Sequence, residues 1–289
     1  MQVTMNHPNA SRPELTLLAR DRLTEALVPE ASRFRILRRS DPHGARRIRN
    51  LFVLVLATDL PAVSELVSLA NRRHQLRALL VRDDVQPSSI PQMFERAGLR
   101  MMRNTIVHSD ARVPRRILAA WANDAQDQLI AKASVSKDRL FLLSCALEPF
   151  EVAFDRMPAL KCIPEPERAN FTVGEDGSYI HWPVPDIHID LDAIRVATDP
   201  EARAKAASAK ALHDRRYGQA IAKLRLAKGL KQSDIEGLSE RQVRRIEKGE
   251  GTTHEALRRL AVAHQVDLEE YLRQVAERLS GPTPERALA

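Results

Sequence analysis

The sequence predicts a multidomain chain of mixed class, α/β plus all-α. An N-terminal small α/β unit is followed by a central β-rich module and a C-terminal domain of five short helices. Three observations carry this reading. The 289 residues exceed the roughly 100–200 of an ordinary single domain. Up to about residue 135, strand-sized apolar runs alternate with helical stripes, the pattern of strands joined by helical crossovers. Beyond Tyr217 every apolar pattern has helical period, and glycines punctuate it.

Composition narrows the class. A hydrophobic fraction of 44% with 29% charged residues belongs to a folded chain rather than a disordered one. No apolar run reaches the roughly 18 residues a membrane helix needs; the longest, Leu51 to Ala57, is strand-sized. The N-terminus lacks a charged start followed by an apolar core and a cleavage site. Two cysteines, Cys145 and Cys162, with no C-x-x-C pair, build neither a disulfide scaffold nor a zinc site, and both read as buried or inert thiols. The expectation is a cytoplasmic protein with no membrane partner.

Taken in order, leucines at 15, 17, 18, 23 and 27 with charges between them predict an amphipathic helix over residues 13–28. An arginine-rich segment follows, in which Asp41-Pro42-His43-Gly44 reads as a turn, and the two together make up residues 1–48. Residues 49–135 read as the α/β domain. It has a strand at Leu51–Ala57 buried on both faces, a helix at Pro61–Arg73, a strand at Leu76–Val81 and a helix at Pro91–Ala97. A weaker strand at Met101–Val107 and a longer helix at Pro114–Ala133 complete it. Residues 136–198 form the β-rich module, from short runs at Arg139–Ser144, Pro149–Phe154, Asn170–Val173 and Ser178–Trp182. The Ala-rich stretch 199–214 predicts a solvated spacer or dimerising helix, residues 215–280 the helical domain, and 281–289 a loose tail.

Charge points to a partner. The net charge is +7, and 36 of the 45 basic residues are arginine, the better bidentate donor to phosphate and guanine. Seven arginines crowd between Arg33 and Arg49; between Arg215 and Glu250 ten basic residues face five acids. Two such concentrations suit a polyanion. The first reads either as an arm that tracks phosphate as a second DNA contact or binds RNA or an acidic partner, or as a solvated linker, since Phe34 alone is interleaved to stack a base.

The helical domain is the most informative. Its first helix stops at Gly229, and a very short second one, Gln232–Glu236, ends at Gly237. Ser239 then caps a third helix, with Gln242 completing a capping box and Gly249 ending it. Val243 and Ile246 face inward, leaving Glu240, Arg241, Arg244, Arg245 and Lys248 outward. Thr252–Glu255 and Asp267–Glu270 repeat the capping logic before two more helices. These residues, above all Val243-Arg-Arg-Ile-Glu-Lys-Gly249, with Leu224-Arg225, Gly229-Leu230, Gln232, Ile235, Leu257, Leu260-Ala261 and Leu268, resemble the Xre-type, phage-repressor-like helix-turn-helix family.

That resemblance, confined to the C-terminal domain, implies a sequence-specific, double-stranded-DNA-binding transcriptional regulator. It would be a dimeric repressor reading an inverted-repeat operator with residues 239–248. It places Gln232 on the DNA backbone and makes Ser239, Glu240, Arg241, Gln242, Arg244, Arg245 and Lys248 the DNA-binding set. Arginine can fork onto guanine, glutamine can pair with adenine and glutamate can accept from cytosine. One departure bears on the third helix's angle: the stretch between Ile235 and Leu238 is shorter than in the family, and the alanine usual after the second helix's hydrophobic residue is missing.

Elsewhere the chemistry is thin. Residues 138–196 resemble a small uncharacterised bacterial β-rich domain, through Arg139 to Leu160, Tyr179-Ile-His-Trp-Pro183 and Asp186 to Asp192, which implies no known chemistry. Alternation puts Asp186, His188, Asp190 and Asp192 on one strand face, with His181 nearby. That face reads as a metal or acid–base site, or as the wet side of an edge strand; the spacing is not diagnostic and no metal is assigned. No G-x-G-x-x-G, Walker lysine loop or G-x-S-x-G occurs, so neither a cofactor nor a catalytic role is expected. Two alternatives stand beside the regulator. One is a DNA-docked nuclease or nucleotide-processing enzyme with its site near Asp59, Asp83 and Asp84. The other is an antitoxin-like protein whose N-terminal domains bind a protein partner or effector.

Overall fold

The computed structural model describes residues 14–19, 34–38, 48–100 and 102–279. The chain divides into two compact units, residues 1–198 and 199–289.

The first unit is built on a five-stranded parallel sheet of order β2-β1-β3-β4-β5. Its strands are β1 (Leu15–Ala19), β2 (Phe34–Leu37), β3 (Leu51–Leu56), β4 (Leu76–Arg82) and β5 (Thr105–His108). Every residue of β1 and nearly all of β3 is buried, as the all-aliphatic run of β3 demands for a strand covered on both faces. Helices α1 (Leu60–Arg72) and α2 (Ile90–Arg96) cover one face, packing on Val53, Val55, Leu79 and Val81. Helix α3 (Arg112–Ala122) covers the other, on Phe52, Leu54, Ala78 and Leu80.

Two antiparallel three-stranded sheets follow. The first joins β6 (Ile130–Ser136), β7 (Arg139–Ser144) and β8 (Pro149–Ala153). Beyond the short helix α4 (Pro158–Lys161), the second joins β9 (Thr172–Val173), β10 (Ile180–Trp182) and β11 (Ile187–Ile189). They share a core of Leu140, Val152, Phe154, Ile180 and Trp182, closed by α5 (Leu191–Thr198). Arg116 of α3 ties this part to the large sheet, donating to the carbonyls of Ala131, Val173 and Glu175.

The second unit is helical: α6 (Pro200–Ala227), a 3-10 turn at Gln232–Asp234, α7 (Glu240–Glu247), α8 (His254–Ala263) and α9 (Leu268–Leu279). Among the described residues no helix is long and apolar enough to cross a membrane.

Several sequence expectations give way. Residues 15–19 are a strand, not the start of a helix, because β2 and β3 flank them in the sheet and satisfy their backbone. The rest of that predicted helix, most of the arginine segment and the turn at 41–44 lie outside the described residues. The helix expected to run to Ala133 stops at Ala122; Asp124 at φ 57° breaks it, and β6 begins at Ile130, before residue 136. The strand expected over Asp186–Asp192 is only Ile187–Ile189: Asp190 accepts from the Ala193 N–H and starts α5, so Asp190 and Asp192 leave that face. The Ala-rich spacer and the first helix of the C-terminal unit are one 28-residue helix, and the second helix shrinks to a single 3-10 turn. Cys162 is exposed, whereas Cys145 is buried, with its thiol pushed up to about 12 by desolvation.

Candidate nucleic-acid interface

Helix α7 is held from behind by three devices. Its apolar residues Val243 and Ile246 join Ile221 and Leu224 of α6, Leu260 of α8 and Tyr271 and Val275 of α9 in one core. Its C-terminal end meets α6 backbone to backbone. A Cβ at Gly218 would lie 2.6 Å from the Glu247 carbonyl oxygen and closer still to that of Ile246. One at Gly249, whose φ is 82°, would lie 2.5 Å from the Asp214 carbonyl oxygen. Both positions therefore require glycine.

The third device is a buried ion pair. Arg225, on the inner face of α6, donates through Nε to Glu247 Oε1 at 2.5 Å and through Nη2 to Oε2 at 3.2 Å. Its Nη1 donates to the Leu230 carbonyl at 2.6 Å, and Gln232 Nε2 donates to Glu247 Oε2 at 2.6 Å. The two charged side chains are 8% and 9% exposed. One guanidinium thus joins α6, the loop after it and α7, and the added donors satisfy a carboxylate that burial would otherwise strand.

The front of α7 is basic. At 3.6 residues per turn, Arg241, Arg244, Arg245 and Lys248 fall within an arc of about 100°, opposite the midpoint between Val243 and Ile246. All four are exposed. Arg245 is paired to Glu250 at 2.9 Å, while Arg241, Arg244 and Lys248 make no ion pair or hydrogen bond through their side chains with any described residue. A groove of about 510 Å³ beside the helix, between Gln242 and Arg259, is by contrast charge-balanced: Arg245 faces Glu250, and Arg259 pairs with Glu255 at 3.0 Å. The uncompensated charge lies on the helix front.

Comparison with protein-family models, with curated proteins and with solved structures gave no match. The reading of this surface therefore rests on its geometry.

The residues named from the sequence divide by role. Ser239 and Gln242 form the capping box: the Ser239 N–H donates to Gln242 Oε1 at 2.8 Å, and the Gln242 N–H donates to Ser239 Oγ at 3.3 Å. Glu240 stands exposed in the first turn. Gln232 is half-buried, its amide engaged by Glu247. Arg225 and Glu247 carry no outward role in the sequence reading. The available signal was an arginine on the buried stripe of α6, four residues after Ile221, which needs an acid partner in the core.

Away from this helix, one of the three strand-end acids, Asp84, serves the fold. Asp84 accepts from the Ala57 N–H at 2.9 Å and from Thr58 Oγ1 at 2.7 Å, closing the ends of β3 and β4 together. At the end of β5, burial lowers the pKa of His108. From the arginine segment, Arg35 faces Glu14 at 3.6 Å.

Proposed function

We propose that the C-terminal unit is a helix-turn-helix module of the Xre type and that the protein is a sequence-specific DNA-binding transcriptional regulator acting as a dimer. The observation that carries this is the front of α7: three cations with no partner among the described residues and a fourth paired one on a single face, with the opposite face fixed by core, glycine contact and ion pair. A helix so presented fits the major groove of duplex DNA, where its outward side chains meet base edges and phosphates. The single-turn second helix shortens the arm that in this family crosses the backbone, so Arg241 in the first turn of α7 and Arg244 one turn on are assigned base reading and Lys248, at its C-terminal end, phosphate contact. A short helix buries little area on one half-site, and two half-sites a turn apart would supply affinity and register.

Selection from random duplex DNA by the full-length protein tests this, with Arg241→Ala/Arg244→Ala as control. The expected result is an enriched inverted repeat that the control does not enrich. An identical motif recovered by the control, or no enrichment at any salt concentration, removes the assignment.

A further inference from the structure

The hairpin β10–β11 brings together three side chains whose sequence spacing is uninformative. In its antiparallel register Ile180 pairs with Ile189, His181 with His188 and Trp182 with Ile187. Ile180, Trp182 and Ile189 point inward and are buried, which obliges both histidines onto the outer face. There their rings stack, centroids 4.0 Å apart and planes at 11°. The Tyr179 ring stands edge-on to His188, centroids 5.0 Å apart. The connection returns through Asp186, in left-handed backbone at φ 50°, a conformation aspartate tolerates. Its Oδ1 lies 3.3 Å from His181 Nε2 and 3.9 Å from His188 Nδ1.

We infer that His181, Asp186 and His188 form a binding site for a divalent cation of the zinc class. One ligand atom from each lies within 4.8 Å of the others, and among the described residues this is the group of three or more ligating side chains that converges so. Bonds of roughly 2.0–2.1 Å around a tetrahedral ion put neighbouring ligand atoms about 3.3–3.4 Å apart. The His181–Asp186 separation already has that value, and rotation of the half-exposed His188 closes the remainder. Two imidazoles and one carboxylate suit zinc and its borderline neighbours rather than calcium or magnesium, which take oxygen cages. With three protein ligands the fourth position opens to solvent, so the ion is held as in an open site, not a closed structural one. The hairpin backbone, fixed by the buried Trp182, presets two of the three ligands.

The test uses the full-length, metal-free protein. Zinc uptake is measured by calorimetry, and cobalt is substituted as a visible-band probe of ligand number and type. The expected result is one ion per chain, with tetrahedral or five-coordinate cobalt bands and no sulfur-to-cobalt charge transfer; the last point separates this site from the exposed Cys162. His188→Ala should weaken binding at least roughly tenfold, the scale on which even outer-shell changes act. Asp186→Asn is the second variant; the carboxylate is 83% exposed, and asparagine accepts the same backbone, so the hairpin stays folded. Unchanged tryptophan fluorescence, from Trp121 and Trp182 together, checks this for both. Asp186→Asn should weaken binding as well; no uptake by the wild-type chain, a sulfur band, or affinity as in the wild type for both variants overturns the site. The outcome is independent of DNA binding, because no residue of the second unit takes part.

Discussion

Arg225 and Glu247 decide whether the basic helix is presented at all. The pair sits at under a tenth exposure and every polar atom on the Glu247 side chain is engaged, by two nitrogens of Arg225 and one of Gln232. Deleting one partner leaves the other charge buried without a counter-ion, a loss on the order of 3–5 kcal/mol. Glu247→Ala should therefore destabilise the helical unit by that amount, while Glu247→Gln, which keeps the shape and one acceptor oxygen, should cost less. Denaturant unfolding followed by far-UV helicity measures both. A loss below about 1 kcal/mol for the alanine variant would mean that water replaces the carboxylate and the pair is no anchor. Exposed arginines behave differently. Arg245 and Glu250, at 60% and 48% exposure, form a solvated pair that contributes little to stability, so its removal should be read out in binding rather than folding.

At the scale of elements, the packing of α6 against α7 rests on absent side chains. Gly218→Ala drives a methyl against the carbonyl oxygens of Ile246 and Glu247, 2.6 Å from the latter, and neither can retreat without moving the helix end. The variant should lower the melting temperature of the helical unit and abolish sequence preference in DNA binding, although it touches no exposed residue. Normal selection of the same DNA motif by Gly218→Ala would show that the helix crossing does not set the reading angle. The boundaries of α7 were legible in the sequence because its caps are local: Ser239 and Gln242 at one end, Gly249 at the other. What was illegible depended on partners distant along the chain. Leucines at 15, 17 and 18 satisfy a helical stripe and a strand equally, and only pairing with Phe34–Leu37 and Leu51–Leu54 makes them β1. Polar residues between Asn123 and Gln128 carry no proline or glycine, so the end of α3 at a left-handed Asp124 left no breaker to read. The alanines of 201–211 run into the helix beyond without a stop, and the chain makes one helix of the two. The pairing of His181 with His188 is a register fact, and register across a hairpin is set by which residues the core accepts.

For the whole molecule, charge sets a background on which specificity must be built. A net charge of +7 on 289 residues attracts any polyanion weakly, and that attraction is independent of sequence. On the proposed function, specificity would come from the few cations set against base edges, and the two contributions separate in their response to salt. A cation neutralising a phosphate releases counterions, and its removal lowers the slope of log affinity against log salt by about 1 for each phosphate no longer neutralised. A cation hydrogen-bonded to a base costs discrimination, on the order of 1–3 kcal/mol, when it is removed. Lys248→Ala should thus weaken binding to all duplexes alike and flatten the salt dependence, by about 2 units of slope in a dimer that uses the residue twice. Arg241→Ala should leave binding to unrelated DNA nearly unchanged and erase the preference at one base pair in each half-site. The measurement is a salt titration of affinity for the selected repeat and for a scrambled duplex, with both variants and the wild type. If both substitutions change only the slope, α7 lies along the backbone rather than in the groove, and the front of the helix is a phosphate clamp.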